Sequence, residues 1–218
     1  VFGSAAWAAP AAQVSLTVED SAKVERKGEV VTTGIPFAKG ALKDVAGLSA
    51  SVNGRKIPAQ FLQTVPWDDG SVRWALMDTQ VDVPAGGKVE LAVADGGAGP
   101  APAAAVKVDD GADALKISTG PLAFAVSKKK FNIFDSFKVD GKELITAAGE
   151  GLAVINAAGE KAFAEGAPTE VKVEQAGSMR AIVCVRGKIT NIKGFITYTM
   201  RITAYAGKKF VKIHTWLQ

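Results

Sequence analysis

The sequence has very little of two reactive residue types, with one cysteine, Cys184, and one histidine, His214, in 218 residues. A single cysteine excludes an intrachain disulfide and any metal site built from several cysteines. Cys184 lies in the apolar run Ala-Ile-Val-Cys-Val, which favours a buried packing role over a nucleophilic one. Glycine fingerprints for nucleotides, a serine elbow and the spacing of a calcium loop are also missing. We therefore predict no cofactor and no metal.

Charge and aromatic content exclude further classes of partner. Aromatic residues make up 7% of the chain, and the net charge is +4. Lys128-Lys129-Lys130 is the one tight basic run, so we predict no nucleic-acid partner. No apolar run is long enough to predict a membrane span. The mild positive charge favours an anionic partner such as an acidic polysaccharide, although scattered solubilising lysines explain the same balance.

Helical periodicity is absent, and short runs rich in β-branched residues alternate with turn signals. Asp69-Gly70 lies between two apolar runs and predicts a hairpin, because glycine accepts the positive φ of such a turn. The last three predicted strands, 180–189, 194–204 and 209–217, are long and separated by brief turns. This pattern indicates an antiparallel meander. We predict an all-β chain.

A segment of glycine, proline and alanine follows Asp95 and has the composition of a linker. Short predicted strands precede it and longer ones follow. We predict a leader or signal-peptide remnant over 1–12, a small barrel or sandwich domain over 13–94, the linker over 95–105 and a second β-domain with an antiparallel meander over 106–218. The sequence stops inside a strand pattern, which predicts that the second domain is truncated at its C-terminus.

The opening twelve residues, Val-Phe-Gly-Ser-Ala-Ala-Trp-Ala-Ala-Pro-Ala-Ala, are typical of the end of a signal peptide. They offer several Ala-x-Ala cleavage options before Gln13. A vector-derived or low-complexity leader is the alternative interpretation. On the first interpretation we predict export, to a secreted or cell-surface location.

Two indoles, two carboxylates and a guanidinium lie within the eight residues 67–74. Indole faces stack on the C–H groups of sugars, and Asp or Arg can bind their hydroxyls. Trp67, Asp69, Arg73 and Trp74 are therefore candidate substrate-binding residues. A turn with an Asp–Arg pair across its base and two packed indoles explains the same residues without a ligand.

The final predicted strand alternates between two faces. The predicted core side holds Val211, Ile213, Thr215 and Leu217, and the other side holds Phe210, Lys212, His214 and Trp216. His214 is the candidate catalytic residue, because histidine exchanges protons near neutral pH and could serve as the base beside a uronate carboxyl. Lys212 and Arg201 are candidate carboxylate anchors, and Trp216 is a candidate stacking platform. Packing under a neighbouring domain, with His214 simply hydrogen-bonded, is the alternative.

Three stretches of the sequence resemble a known family. They are Gly34-Ile-Pro-Phe-Ala-Lys-Gly40, the run 67–74, and the strand 180–186 that follows Glu174-Gln-Ala-Gly177. They resemble the N-terminal region of exo-rhamnogalacturonan lyase-like proteins, the YetA-like group of polysaccharide lyases. The resemblance implies that the first domain, 13–94, is a small RIFT-type β-barrel and that the second, 106–218, is an antiparallel β-sandwich. In that family the two precede a helical toroid carrying much of the active-site cleft. It assigns no catalytic residue to any position here.

The leading hypothesis is that these are non-catalytic or accessory β-domains of an exported polysaccharide-lyase-like protein that acts on or binds acidic polysaccharide. The resemblance implies a helical domain as their partner and no lyase activity without it. Two alternatives stay open. One is a stand-alone carbohydrate-binding module that uses Trp67 and Trp74. The other is a cell-surface structural or assembly protein whose edge strands associate between copies.

Overall fold

The computed structural model describes residues 13–145, 149, 151–164, 166–192 and 194–218. The predicted leader therefore lies outside the described residues. What is described consists of β-strands, loops and one short 3-10 helix, Val45–Gly47, so the all-β prediction is confirmed. No helix in this part of the chain is long and apolar enough to cross a bilayer. The chain divides into two compact units between Pro102 and Ala103.

The described residues of the first unit form seven strands in two antiparallel sheets. The strands are β1 (Gln13–Glu19), β2 (Arg26–Pro36), β3 (Leu48–Val52), β4 (Arg55–Ile57), β5 (Ala59–Pro66), β6 (Val72–Val83) and β7 (Lys88–Asp95). One sheet has the order β1–β7–β3–β4 and the other the order β2–β6–β5. Both sheets contribute to one core, in which Ile35, Met77 and Leu91 are fully buried. This shared core makes the unit fold as one body.

The described residues of the second unit form eleven strands. They are β8 (Lys107–Asp110), β9 (Ala114–Ser118), β10 (Leu122–Ser127), β11 (Ser136–Val139), β12 (Lys142–Glu143), β13 (Ala153–Ile155), β14 (Lys161–Phe163), β15 (Glu170–Gln175), β16 (Arg180–Ile192), β17 (Gly194–Tyr205) and β18 (Val211–Leu217). A five-stranded sheet has the order β12–β11–β10–β9–β8 and a four-stranded sheet the order β15–β16–β17–β18, beside the hairpin β13–β14. The predicted meander of three long strands is confirmed as β16 to β18.

The core of the second unit contains residues from both large sheets. The ring of Phe131 stacks on that of Tyr198, with the two centroids 5.2 Å apart. Tyr198 lies across the ladder from Gly187, where any Cβ atom would collide with the phenol. Burial raises the pKa of Tyr198 to about 12. Gly187 is therefore required by close packing in the core and not by a turn.

Two aspects of the sheets differ from the sequence-based prediction. The short strands β4, β8 and β14 were not predicted, because three or four residues are too few to show an alternating pattern. The predicted core side of the last strand is correct, because its residues pair with buried residues of β17, but most of that side is exposed. Val211 packs on the core, but Ile213 and Leu217 are 40% and 50% exposed. β18 is the last strand of its sheet, and an edge strand can extend beyond the layer that covers its neighbours.

Candidate functional site

Two sequence motifs of the first unit form one structure, which we call the Trp67 corner (residues 34–40 and 67–74). The Phe37 N–H donates to the carbonyl oxygen of Arg73 at 3.0 Å. The carbonyl oxygen of Phe37 accepts a second hydrogen bond, from the indole Nε1–H of Trp67, also at 3.0 Å. Gly40 N donates to Ser71 Oγ at 2.9 Å. The two motifs are therefore the two halves of one hydrogen-bonded corner.

The Asp69-Gly70 turn connects β5 to β6, as predicted. Gly70 has a φ of +81°, and Asp69 Oδ1 accepts hydrogen bonds from Ser71 N at 3.0 Å and from Ser71 Oγ at 2.5 Å. These bonds with Ser71 lower the pKa of Asp69. The expected Asp–Arg pair across the base of the turn is not formed. Asp69 is hydrogen-bonded to Ser71 instead, and Asp68 forms an ion pair with Lys39 at 2.6 Å. The side chain of Asp69 therefore shapes the turn.

A β-bulge at Arg73 turns two successive side chains outward. Val65 pairs with Trp74 and Pro66 pairs with Val72, which leaves Arg73 as the extra residue on β6. Val72 is buried, whereas Arg73 and Trp74 are both exposed, an arrangement that strict alternation forbids. The guanidinium carbon of Arg73 lies 4.7 Å from the ring centroid of Trp67.

The Trp74 indole lies over the backbone of Gly34 on the outer side of the β2–β6 pair. A Cβ atom on Gly34 would be 3.4 Å from Trp74 Cε3, and the indole is 39% exposed. A flat aromatic ring supported by backbone on one side and open on the other can bind an apolar face of a ligand. Trp74 has the geometry of such a surface, and Trp67, seven residues earlier in the chain, is half-buried.

The second group of predicted residues meets on the outer face of the β15–β18 sheet. We define this face by the side chains of Glu170, Lys172, Glu174, Cys184, Arg186, Arg201, Lys212, His214 and Trp216. In the β17–β18 ladder Arg201 is directly opposite His214, and Trp216 and Lys212 lie two positions away on either side of His214. Directly paired residues of antiparallel strands point to the same side. The structure therefore brings together all four residues that were predicted from the last two strands.

Arg201 is the centre of this face. Its Nε and Nη2 atoms lie 2.5 Å and 2.8 Å from the two carboxylate oxygens of Glu174. Its guanidinium carbon also lies 5.2 Å from the ring centroid of Trp216, and the Trp216 and His214 centroids are 6.0 Å apart. A bidentate ion pair fixes the plane of a guanidinium. Arg201 therefore supports the exposed indole while its charge is largely neutralised by Glu174.

Cys184 lies opposite Arg201 in the β16–β17 ladder and interacts with Glu174. The hydrogen bond with Arg201 lowers the pKa of Glu174, and a hydrogen bond from the Cys184 thiol lowers it further. Cys184 is buried, and this burial, reinforced by the charge of Glu174, raises the pKa of its thiol. A thiol that resists ionisation is a poor nucleophile, so the structure agrees with the packing role expected for Cys184.

Sequence reasoning missed Glu174, Lys172 and Arg186 as members of this face. Lys172 is opposite Cys184, which is opposite Arg201, which is opposite His214, so four strands contribute one continuous row. The alternation of Glu170, Lys172 and Glu174 with Val171 and Val173 was the available signal, because it marks one polar and one apolar side of β15. Nowhere in the described residues do three or more His, Cys, Asp or Glu side chains gather as a metal site would require.

Comparisons with known proteins give two matches to family models. Residues 18–93 match the PcRGLX-like N-terminal RIFT barrel domain, and residues 106–217 match the PcRGLX-like protein central beta sandwich domain. A search of curated proteins gives no match. The predicted barrel followed by a sandwich, and the resemblance to the N-terminal region of rhamnogalacturonan lyase-like proteins, are confirmed. The chain belongs to the PcRGLX-like family, of which it contains the N-terminal RIFT barrel and the central β-sandwich domain.

Proposed function

We propose that these β-domains act as accessory parts of a polysaccharide-lyase-like protein and bind acidic polysaccharide on the outer face of the β15–β18 sheet. The observation that carries the proposal is the ladder pair in which Arg201 faces His214, with Trp216 and Lys212 in the next pairs on the same side of the sheet. Together these residues combine a supported indole with cationic groups, as binding of an acidic sugar requires. The export that would bring the protein to such a ligand is part of this proposal.

The charges on this face favour an anionic ligand. Four cations, Lys172, Arg186, Arg201 and Lys212, share it with the two carboxylates Glu170 and Glu174. Glu170 is within 2.8 Å of Arg186 and 3.7 Å of Lys172, and Glu174 is held by Arg201. Lys212 is exposed and forms no ion pair with any described residue. The face therefore keeps a positive excess on the strand that carries Trp216, and an incoming carboxylate can bind there.

The environment of His214 favours binding over catalysis. Its imidazole is exposed, on a strand where six of seven side chains are exposed, and no described residue donates to it or accepts from it a hydrogen bond. A general base is normally oriented by a second group and shielded from bulk water. We therefore expect His214 to contact ligand as part of the face, and we expect the chain alone to have no lyase activity.

Calorimetric titration of the chain with a rhamnogalacturonan fragment tests the proposal, with ultraviolet absorbance recorded for unsaturated products. We expect binding that weakens about tenfold in Trp216→Ala, because the stacking platform is lost, and a smaller loss in Lys212→Gln. Trp74→Ala is the matched control, since it removes a similarly exposed indole from the other unit.

The variants distinguish the proposed function from a carbohydrate-binding module in the first unit and from catalysis by the chain. Equal affinity of the wild type and Trp216→Ala would reject this face as the binding site. Loss of affinity in Trp74→Ala alone would support a carbohydrate-binding module centred on the first unit. Growth of absorbance that disappears in His214→Ala would show catalysis by the chain and overturn the accessory role.

A second candidate function, self-association through β18, is favoured by one observation. β18 pairs with β17 on one side and carries exposed Ile213, Trp216 and Leu217. An exposed apolar edge strand can add to a strand of another copy. Sedimentation over a wide range of concentration tests this, and Ile213→Lys should return any assembly to monomers. Monomers at every concentration would reject it.

A further inference from the structure

A groove of about 430 Å³ lies on the five-stranded sheet of the second unit, on strands β8 to β11. It uses none of the residues on the outer face of the β15–β18 sheet. The side chains that matter for the argument are Lys107, Lys116, Lys138, Ser118, Ala123 and Ala125. The sheet buries its other side, with Ile117, Leu122 and Phe124 in the core, so these six residues form its outward surface.

The register of the ladder gives the groove a small-residue floor with a cation at each end. Lys107 pairs with Ser118, Ser118 pairs with Ala123, and Ala123 pairs with Lys138, so one row crosses all four strands. Adjacent strands are about 4.8 Å apart, which separates the two terminal lysine Cα atoms by roughly 14 Å. The floor between the two lysines is low, because the side chains of serine and alanine project little above the backbone.

The next row places a third lysine within the groove. Asp109 pairs with Lys116, and Lys116 pairs with Ala125. Glu143 lies across the ladder from Lys138, but its oxygens accept from Ser136 Oγ and from the Phe137 N–H. Among the residues that line the groove, three are lysines and one, Asp109, is a carboxylate.

The three lysines of the groove differ from other lysines of the same unit. Lys128, Lys129 and Lys209 each form an ion pair with an aspartate, at 2.5 to 2.7 Å. Lys107, Lys116 and Lys138 are exposed, and none of them forms an ion pair with a described residue. The charges of Lys107 and Lys116 are therefore available to an external anion, and that of Lys138 is shared with Glu143, whose pKa it helps to lower.

We propose that this groove is a second binding site for an acidic oligosaccharide, whose carboxylates pair with Lys107, Lys116 and Lys138. The face of a paired sheet offers no free backbone ladder, which argues against an extended peptide. Ser118 Oγ accepts from Gly120 N at 3.4 Å, and its hydroxyl proton remains to donate to a sugar oxygen. Recognition here depends on charge and hydroxyl contacts, because the aromatic ring of Phe124 points into the core.

The site shares its class of ligand with the proposed function but needs nothing from β15–β18. Titration of the full chain with an oligogalacturonate tests it. The variant Lys107→Gln/Lys116→Gln/Lys138→Gln should lose about tenfold in affinity. The control Lys128→Gln/Lys129→Gln/Lys209→Gln removes the same net charge from ion-paired lysines of the same unit and should stay within about twofold. Far-UV circular dichroism confirms that both variants fold.

Backbone amide shifts provide an independent readout, and the ligand should perturb β8 to β11 in the wild type. Equal losses in the two triple variants would overturn the site in favour of non-specific attraction. Equal binding of an oligoglutamate peptide, lost in the same variant, would overturn the choice of sugar. Loss confined to Trp216→Ala would reject the groove and keep the proposed function. Loss confined to the groove variant would support the groove and reject the β15–β18 face.

Discussion

The described residues include two Arg–Trp pairs, one in each unit, and they differ in which partner is fixed. In the first unit the Trp67 indole is fixed by its hydrogen bond to the Phe37 carbonyl, and Arg73 lies over it as an exposed cation. In the second unit Arg201 is fixed by Glu174, and Trp216 lies against it with 46% of its surface exposed. The same two residue types therefore form opposite arrangements.

This difference shows that an Arg–Trp contact does not by itself indicate which side chain meets a ligand. The side chain that has a further hydrogen-bond or ion-pair partner is held in place, and the other side chain remains available to a ligand. By this reasoning Arg73 presents charge at the Trp67 corner, whereas Trp216 presents an apolar surface in the sandwich. Three changes, given in order of decreasing effect on stability, test this comparison.

Truncation of the two indoles should have unequal costs. Trp67→Ala should lower the free energy of unfolding of the first unit by about 2–3 kcal/mol, because a half-buried ring and its N–H bond are lost. Trp216→Ala should change that of the second unit by less than about 0.5 kcal/mol. Urea unfolding followed by circular dichroism measures both. Trp67→Phe, which removes the N–H but keeps a ring, should lie between them; equal costs for both alanine variants would contradict the comparison.

Glu174→Gln should remove the ion pair that holds Arg201 in the sandwich. We expect a loss of about 1 kcal/mol at neutral pH, since the exchange removes a partly buried ion pair. The folded-state pKa of Glu174 lies below its ordinary value of 4.5. The stabilisation is therefore complete above pH 4.5 and is lost as the pH falls through the lower folded value.

Unfolding at several pH values measures this dependence. The difference in stability between the wild type and Glu174→Gln should shrink below pH 4.5, the ordinary pKa of this carboxyl. The matched variant Arg201→Gln breaks the same pair from the other side and leaves Glu174 without its cation. It should remove most of the same pH dependence. A difference that is constant down to pH 2 would show that the pair does not stabilise the fold.

Arg73→Gln should have a small effect, close to that of Trp216→Ala. An exposed cation–π contact contributes about 0.5 kcal/mol, and Arg73→Lys should preserve most of it because the charge is kept. Thermal unfolding of the two variants and the wild type, measured side by side, tests the expectation. A loss comparable to that of Trp67→Ala would mean that Arg73, and not the indole, anchors the corner.

Local sequence patterns were sufficient for the strands and turns. Asp69-Gly70 predicted the turn between β5 and β6, because only the short-range demand for a positive φ is involved. The last three strands were predicted as neighbours, since brief turns can join only adjacent antiparallel strands. Both predictions rest on interactions between residues that are close in the chain.

The contents of the candidate site depended on distant residues. A shift of one residue in the β17–β18 register would have moved His214 away from Arg201, and sequence does not determine register in an edge strand. The ion pair between Arg201 and Glu174 joins residues that are 27 positions apart in the sequence. The bulge at Arg73 likewise arises from pairing with β5, and it could not be derived from the alternation in β6 alone.

The sequence by itself determined that this protein is all-β, that a linker separates two β-domains, and which residue types could meet a sugar. These properties follow from periodicity and turn chemistry, which act over a few residues. Only the tertiary structure decided which of the two Arg–Trp partners is fixed, and that three lysines without ion pairs share one groove on β8 to β11. Such facts depend on strand register and long-range ion pairing, which exist only when distant strands are side by side.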